Sequence, residues 1–194
     1  MSPESISRRE LRLKLLALRD ASSPQQRQAW DARICEHLHR LFAERFDNLD
    51  QLVVGAYHPL GSEPDLRGVF PSLGEVALPK VTARDAPLRF LLYREGMALA
   101  MQDFGVMVPV AEIDSRPKVL VIPCVGFHVG QDHRIDRLGY GGGFYDRTLA
   151  SRRYLSVGVA YSLGQIDSFR PEPHDQALDF IVTELGATKG GIAS

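Results

Sequence analysis

The chain has 194 residues, which is enough for one domain with a full apolar core and too few for two ordinary domains. Its 44% apolar and 24% charged residues exclude the disordered, collagenous and fibrous classes, and a formal charge of −1 argues against nucleic-acid and anionic-membrane partners. Two isolated cysteines and the absence of an apolar run of about 18 residues predict a cytoplasmic protein without a membrane span.

Two helices are predicted at the amino end of the chain. Residues 4–19 mix leucines with arginines at spacings that indicate a helix with a strongly basic face. Ser22 and Ser23 then precede Pro24, which is typical of a helix start, because proline fits the first helical position. An apolar stripe from Trp30 to Phe46 follows at helical spacing and predicts the second helix.

Short apolar runs in the rest of the chain predict strands. They cover residues 52–57, 75–81, 89–94, 119–127, 154–161 and 180–185, and a helix is predicted over 144–153. The runs at 52–57 and 119–127 are apolar nearly throughout, as in strands that are covered on both faces. We therefore expect one layered α/β domain over residues 1–194, with a mainly parallel sheet flanked by helices. A long loop is expected over 128–136 and a frayed tail over about 187–194.

A glycine-rich segment carries the strongest chemical signal. Four glycines lie immediately before a helix that begins at about Phe144: Gly139, Gly141, Gly142 and Gly143. Without Cβ atoms several backbone N–H groups can converge on one anion, and Arg134, Arg137 and Arg147 flank the loop. The segment matches neither the Walker A nor the dinucleotide-binding pattern. The pattern alone leaves a phosphate-binding loop and a mobile connector equally open.

Three carboxylates are candidates for the same chemistry. Asp146 lies in the first turn of the helix after the glycines, where it would hold a Mg²⁺ on a bound polyphosphate or only complement the helix dipole. Glu63 follows the first strand, and Asp175 precedes the last one. Loops at strand ends gather ligands in α/β sheets, although both positions are also compatible with solvated turn residues, as is neighbouring His174.

The segment RLGYGGGFYDR, residues 137–147, resembles the 5-formyltetrahydrofolate cyclo-ligase family, also called methenyltetrahydrofolate synthetases. The resemblance covers most of the chain, because SRRELRLKLLALR is similar to the family's basic first helix and AYHPLGSEPDL to its first strand and acidic loop. It implies that ATP phosphorylates the formyl oxygen of 5-formyltetrahydrofolate with the help of Mg²⁺. N10 of the folate then attacks the activated carbon, which gives 5,10-methenyltetrahydrofolate, ADP and phosphate.

The resemblance also implies roles for individual residues. The ATP-binding set would be Arg8, Arg12, Arg137, Leu138, Gly139, Tyr140, Gly141, Gly142, Gly143, Phe144 and Tyr145. Asp146 and Asp175 would hold Mg²⁺. The folate would face His58, Glu63, Tyr140 and Phe144, and the catalytic residues would be Tyr145 and Arg137.

Two alternatives to this function stay open at this point. The chain would be a diverged paralogue that uses ATP on another small molecule, or a non-catalytic module that binds folate or a nucleotide. The expected partners are a reduced folate substrate and ATP, and we expect a monomer.

Overall fold

The computed structural model describes residues 6–167 and 170–191. The helices are α1 (Arg8–Ala21), α2 (Pro24–Ala43) and α3 (Phe144–Ser151). The strands of the amino-terminal half are β1 (Val53–Gly55), β2 (Glu75–Lys80), β3 (Arg89–Tyr93), β4 (Leu99–Met101), β5 (Met107–Pro109) and β6 (Asp114–Ser115). The later strands are β7 (Val119–Pro123), β8 (Gly126–Val129), β9 (Ile135–Leu138), β10 (Leu155–Val159), β11 (Phe180–Thr183) and β12 (Gly186–Lys189). In this described part of the chain, no helix has the length and apolarity needed to cross a membrane.

Eight strands form one sheet in the order β12, β11, β10, β7, β1, β2, β3, β6. The five strands from β11 to β2 are parallel, whereas β12, β3 and β6 pair antiparallel at the two edges. The predicted α/β fold with a mainly parallel sheet is therefore confirmed. The carboxyl ends of the parallel strands meet along one edge of the sheet, where ligands bind in folds of this kind.

Helices cover both faces of the sheet. On one face, Ile34 and Phe42 of α2 belong to the same buried cluster as Val121 of β7. On the other face, Leu120 of β7 packs in a second cluster with Leu149 of α3 against it. Adjacent residues of β7 thus belong to different clusters, because successive strand side chains point to opposite faces. This two-sided burial explains the nearly continuous apolar run of that strand.

Polar caps fix where the two amino-terminal helices begin. The Ser7 hydroxyl accepts a hydrogen bond from the Glu10 amide at 3.2 Å, and the Glu10 carboxylate accepts one from the Ser7 amide at 3.0 Å. This reciprocal capping box starts α1 at Arg8, so the prediction of a helix from residue 4 is wrong for residues 6 and 7, while residues 4 and 5 lie outside the described part. Ser23 caps α2 ahead of Pro24, which confirms that predicted start.

The structure corrects two predictions around residues 119–138. The apolar run 119–127 is not one strand, because the sheet strand β7 ends at Pro123 and β8 begins at Gly126 in a separate two-stranded sheet. The expected long loop over 128–136 holds only for residues 130–134, which connect two strands. Residues 128–129 and 135–136 belong to the antiparallel hairpin of β8 and β9, in which His128 pairs with Asp136. The hairpin leads the chain directly into the glycines.

The carboxyl end is also more ordered than predicted. A frayed tail from residue 187 is wrong for residues 187–189, which pair with β11 as the edge strand β12. The last three residues lie outside the described part of the chain. The sequence analysis also missed the small hairpin of β4 and β5, which are too short to give a strand pattern.

Candidate functional site

Two adjoining cavities lie at the edge of the sheet where the parallel strands end. We call them the polar cavity and the apolar cavity, and we call residues 139–143 the glycine loop. The polar cavity has a volume of about 430 Å³ and the apolar cavity about 710 Å³. Both are lined by Tyr140, Gly141, Gly142 and Phe144, so one thin wall separates them.

The polar cavity is rich in arginine. Its charged and ionisable lining residues are Arg8, Arg9, Arg12, Arg137, Tyr145, Asp146, Glu172, His174 and Asp175. Four guanidinium groups at one cavity provide the positive charge that a polyphosphate requires. The predicted phosphate-binding arginines and the predicted Mg²⁺ carboxylates thus lie around the same space.

Helix α1 brings two of these arginines to the cavity from one face. Arg8 and Arg12 are four residues apart, which places them one turn apart on the helix. Arg12 Nε donates to the Gly139 carbonyl oxygen at 2.7 Å, and Arg8 Nη1 donates to Asp175 Oδ2 at 2.7 Å. Because both hydrogen bonds connect α1 to other segments of the chain, the two guanidinium groups hold this helix over the cavity.

A second arginine–carboxylate pair lies on the opposite wall. Arg137 is only 6% exposed, and it forms an ion pair with Asp146 and donates to the Gln176 carbonyl oxygen. The Gln176 amide donates to Asp146 Oδ1 at 3.0 Å. Both carboxylates that were predicted to hold Mg²⁺ are therefore paired with arginines that were predicted to bind phosphate.

The glycine loop has a backbone conformation that ordinary residues disfavour. The φ angle is 95° at Gly141 and 66° at Gly143, the residue that caps α3. Arg12 binds the Gly139 carbonyl oxygen, and Arg147 Nη2 donates to the Gly142 carbonyl oxygen at 2.8 Å. No side chain from the described residues caps the first turn of α3, so its amides and dipole remain available to an anion.

Asp175 also belongs to a cluster that could accept a cation. One ligand atom each from Glu172, His174 and Asp175 lies within 4.8 Å of the others, and Asp146 lies outside this group. The two carboxylates of this cluster suit Mg²⁺, whereas the His174 imidazole does not. His174 was interpreted as a solvated loop residue and Glu172 was not considered, although both lie within three residues before Asp175 in PEPHD.

The apolar cavity lies between the glycine loop and the carboxyl end of β2. It is lined mainly by Leu60, Pro79, Val81, Leu88, Phe104, Val106 and Phe144. The rings of Phe104 and Phe144 meet edge to face, with their centroids 5.5 Å apart. Among the described residues that line this cavity, Arg84 alone carries a formal charge. The cavity therefore suits a flat, largely apolar ligand with one anionic end.

Three of the predicted ligand-binding residues are not on the cavity walls. Leu138 is fully buried with Leu15 and Val125, so its side chain holds α1 on the fold and does not reach the polar cavity. His58 is half-buried and lines neither cavity. Glu63 is only 5% exposed and lies behind Tyr140, with its carboxylate accepting from the Leu60 amide at 2.8 Å.

Two tyrosines at the site stay protonated at neutral pH. Burial raises the pKa of Tyr145, and the nearby Glu63 charge raises it further. Burial and Glu63 raise the pKa of Tyr140 in the same way. Each hydroxyl is therefore a neutral hydrogen-bond donor and not a base. Tyr145 lines the polar cavity, while Tyr140 lines both cavities.

Sequence reasoning missed several residues at the site, among them Arg19, Arg84 and Phe104. Arg19 is 5% exposed and donates to the Tyr140 hydroxyl at 2.7 Å. It lies seven residues after Arg12, so the helical spacing that relates Arg8 and Arg12 would have indicated it. Phe104 has an unusual positive φ of 62°, which no sequence pattern predicts.

Comparisons with known proteins place the chain in one family. The model of the 5-formyltetrahydrofolate cyclo-ligase family matches residues 4–184. A 5-formyltetrahydrofolate cyclo-ligase of Mycolicibacterium smegmatis is 34% identical over 145 residues, which cover 67% of this chain and 72% of that protein. One from Haemophilus influenzae is 33% identical over 103 residues, or 47% of this chain and 51% of that protein. The NMR structure of the Aquifex aeolicus 5,10-methenyltetrahydrofolate synthetase is similar, with a TM-score of 0.75, 28% identity and coverage of 95% and 93%.

Proposed function

Because the chain belongs to the 5-formyltetrahydrofolate cyclo-ligase family, we propose that it converts 5-formyltetrahydrofolate to 5,10-methenyltetrahydrofolate. In this proposal the reaction consumes ATP with the help of Mg²⁺ and releases ADP and phosphate. The observation that carries it is the wall shared by an arginine-lined cavity and an apolar one. Two substrates that must meet at one phosphoryl group need two such compartments side by side.

The polar cavity is the proposed site of the ATP phosphates. Arg8, Arg12 and Arg137 would bind phosphate oxygens, together with the backbone amides of the glycine loop and the amino end of α3. Asp146 and Asp175 would hold the Mg²⁺, which supplies charge neutralisation on the triphosphate when it is bound. Phosphoryl transfer depends on positioning and charge more than on a protein nucleophile.

Binding of nucleotide and metal would exchange the partners of the arginines. Arg8 now pairs with Asp175, and Arg137 pairs with Asp146. A triphosphate offers the arginines new anions, while Mg²⁺ offers the carboxylates a new cation. If ATP bound alone, the two carboxylates would lose their arginine partners, and if Mg²⁺ bound alone, the two arginines would lose their carboxylates. Either event would leave charged groups unpaired at the cavity. We therefore expect ATP and Mg²⁺ to bind together.

The apolar cavity is the proposed site of the folate. Phe104 and Phe144 would pack against its rings, with the formyl group directed toward the wall of Tyr140 and Gly141. The formyl oxygen attacks the γ-phosphorus of ATP, and the bond to ADP breaks. N10 then forms a bond to the formyl carbon, the carbon–oxygen bond to phosphate breaks, and N10 loses its proton. The neutral Tyr145 hydroxyl would donate a hydrogen bond to a phosphate oxygen.

An absorbance assay tests the proposed reaction. We expect purified protein to form the methenyl product from 5-formyltetrahydrofolate only when ATP and Mg²⁺ are both present. No ATP-dependent product at high protein concentration would contradict the proposal. Nucleotide binding without folate binding would then indicate a paralogue with another substrate, and tight binding of both without turnover would indicate a binding module. Cytoplasmic location and the monomeric state stay predictions from the sequence.

Arg84 gives a prediction about substrate specificity. Its guanidinium is the one charge on the apolar cavity, so we expect it to bind the carboxylates of the folate's glutamate tail. Arg84→Met should raise KM for 5-formyltetrahydrofolate about two- to fivefold, because an exposed ion pair contributes only about this much to binding. The value of kcat and the KM for ATP should stay unchanged. Steady-state kinetics measures all three constants. Arg33→Met, an exposed change on α2, is the matched control, and an unchanged folate KM in Arg84→Met would refute the assignment.

A further inference from the structure

Arg19 is an unusual residue for a helix surface. It is only 5% exposed, and its Nε donates to the Ser62 hydroxyl at 3.0 Å while its Nη2 donates to the Tyr140 hydroxyl at 2.7 Å. Its Nη1 is buried and has no hydrogen-bond partner within residues 6–167 and 170–191. A buried N–H without a partner is unfavourable, so stability alone does not explain this arginine.

The contact with Tyr140 continues to a buried carboxylate. Burial and the nearby Glu63 charge raise the pKa of Tyr140, so this carboxylate lies close to the hydroxyl that accepts from Arg19. Glu63 is 5% exposed and accepts from the Leu60 amide. We call these three residues the Arg19 relay.

The charge of Arg19 is balanced through hydroxyl groups. Ser62 Oγ, which accepts from Arg19, donates to Asp20, and the Tyr140 hydroxyl that accepts from Arg19 lies close to Glu63. Within the described residues no carboxylate forms a direct ion pair with Arg19, although its charge favours the charged form of Glu63. Removing the Tyr140 hydroxyl would take away the acceptor of Arg19 Nη2 and leave a second buried N–H without its present partner.

The relay holds a side chain that is otherwise open to solvent. Tyr140 is 47% exposed, and it contributes to the walls of both the polar and the apolar cavity. Its hydroxyl is anchored by the hydrogen bond from the buried Arg19 guanidinium. Because Tyr140 lies between the proposed ATP and folate sites, the position of its ring determines how closely the two substrates can approach each other.

We propose that Arg19 is a positioning residue, which fixes the Tyr140 ring between the two substrates by clamping its hydroxyl with a hydrogen bond from the buried guanidinium. This inference rests on the proposed function of the two cavities. It assigns Arg19 no contact with either substrate. Its effect on the reaction passes entirely through Tyr140, and this distinguishes it from the arginines of the polar cavity.

A double-mutant cycle tests this dependence. We expect Arg19→Met to lower kcat about ten- to a hundredfold, because a small misplacement at the reacting groups has effects of this size. The KM for ATP should change less than about twofold, since Arg8 and Arg12 remain in place. Tyr140→Phe should give a similar loss, and the double variant should be no worse than either single variant. Arg19→Lys should restore part of kcat.

The control is Lys14→Met, an exposed change on the same helix that should leave all constants as in the wild type. Circular dichroism and the melting temperature show whether each variant is folded. If Arg19→Met does not fold, Tyr140→Phe still tests the relay, because it removes only the clamped hydroxyl. An additive double variant, or a folded Arg19→Met with wild-type kcat, would overturn the proposal.

A titration of Glu63 gives a second readout that does not need turnover. Burial raises the pKa of Glu63, and the Tyr140 hydrogen bond and the Arg19 charge lower it. The ionisable groups that sense this carboxylate are Arg19, Tyr57, Cys124, Tyr140 and Tyr145. In ¹³C NMR of labelled protein, Arg19→Met and Tyr140→Phe should each raise the pKa of Glu63, and an unchanged value in both would refute the relay.

The two readouts separate this inference from the proposed function. A wild-type protein that makes no methenyl product contradicts the proposed function, whatever the titration shows. A wild-type protein that is active, with an Arg19→Met variant that is equally active and has the same Glu63 titration, contradicts only the role of Arg19.

Discussion

Asp146→Asn is expected to lower Mg²⁺-dependent kcat about a hundred- to a thousandfold, the usual effect of removing one preorganised charge from a reaction centre. The substitution keeps an oxygen that accepts from the Gln176 amide, so the local backbone should hold. It removes the negative charge that would bind Mg²⁺ and that now pairs with Arg137. The loss of kcat should persist at saturating ATP, because the variant lacks charge neutralisation at the phosphates and does not merely bind ATP more weakly.

Stability must be measured in the same variant. Arg137 is 6% exposed, and a buried charge that loses its partner destabilises a fold, so the melting temperature of Asp146→Asn should be lower than that of the wild type. Steady-state kinetics below that temperature, at several Mg²⁺ concentrations, isolates the chemical effect. Asp47→Asn changes an exposed acid away from both cavities and should be silent. Wild-type kcat in folded Asp146→Asn would remove Asp146 from the metal site.

The parts of the site that sequence reasoning located are those with local signals. The glycine loop, the start of α3 and the basic face of α1 each depend on residues within a few positions of one another, and periodicity and capping rules read such patterns directly. Asp146 was found for the same reason, since it lies in the first turn after the glycines. These features were therefore predictable without knowledge of the tertiary structure.

The parts that sequence reasoning missed depend on long-range contacts. Arg19 meets Tyr140 across 121 positions of the chain, and no local rule gives that pairing. The strand segments within residues 128–136 were not predicted, because glycines and charged residues disfavour strands in isolation. Pairing with each other overrides that preference. Leu138 shows the opposite error: it was predicted to bind ATP because it lies within the glycine motif, but its side chain packs in the hydrophobic core.

Gly141→Val is expected to weaken ATP binding about a hundredfold. Gly141 has a φ of 95°, and a β-branched residue in that region is strained by roughly 1–3 kcal/mol. An added Cβ would also lie 3.4 Å from Arg12 Nη2 and 3.5 Å from its Cζ, at a guanidinium proposed to bind phosphate. Both effects move the loop away from the conformation in which its amides and Arg12 can face one anion. The KM for ATP and direct nucleotide titration measure the change.

Gly96→Val separates loss of nucleotide binding from backbone strain alone. Gly96 has a φ of 84°, but an added Cβ there meets nothing within 4 Å, and the residue lines neither cavity. It should therefore share the loss of stability seen in Gly141→Val and keep the wild-type KM for ATP. If folded Gly141→Val also keeps that KM, the glycine loop does not hold the triphosphate, and the four arginines would have to bind it elsewhere on the cavity wall. If only Gly141→Val loses ATP, close approach of the loop backbone to phosphate is the explanation that remains.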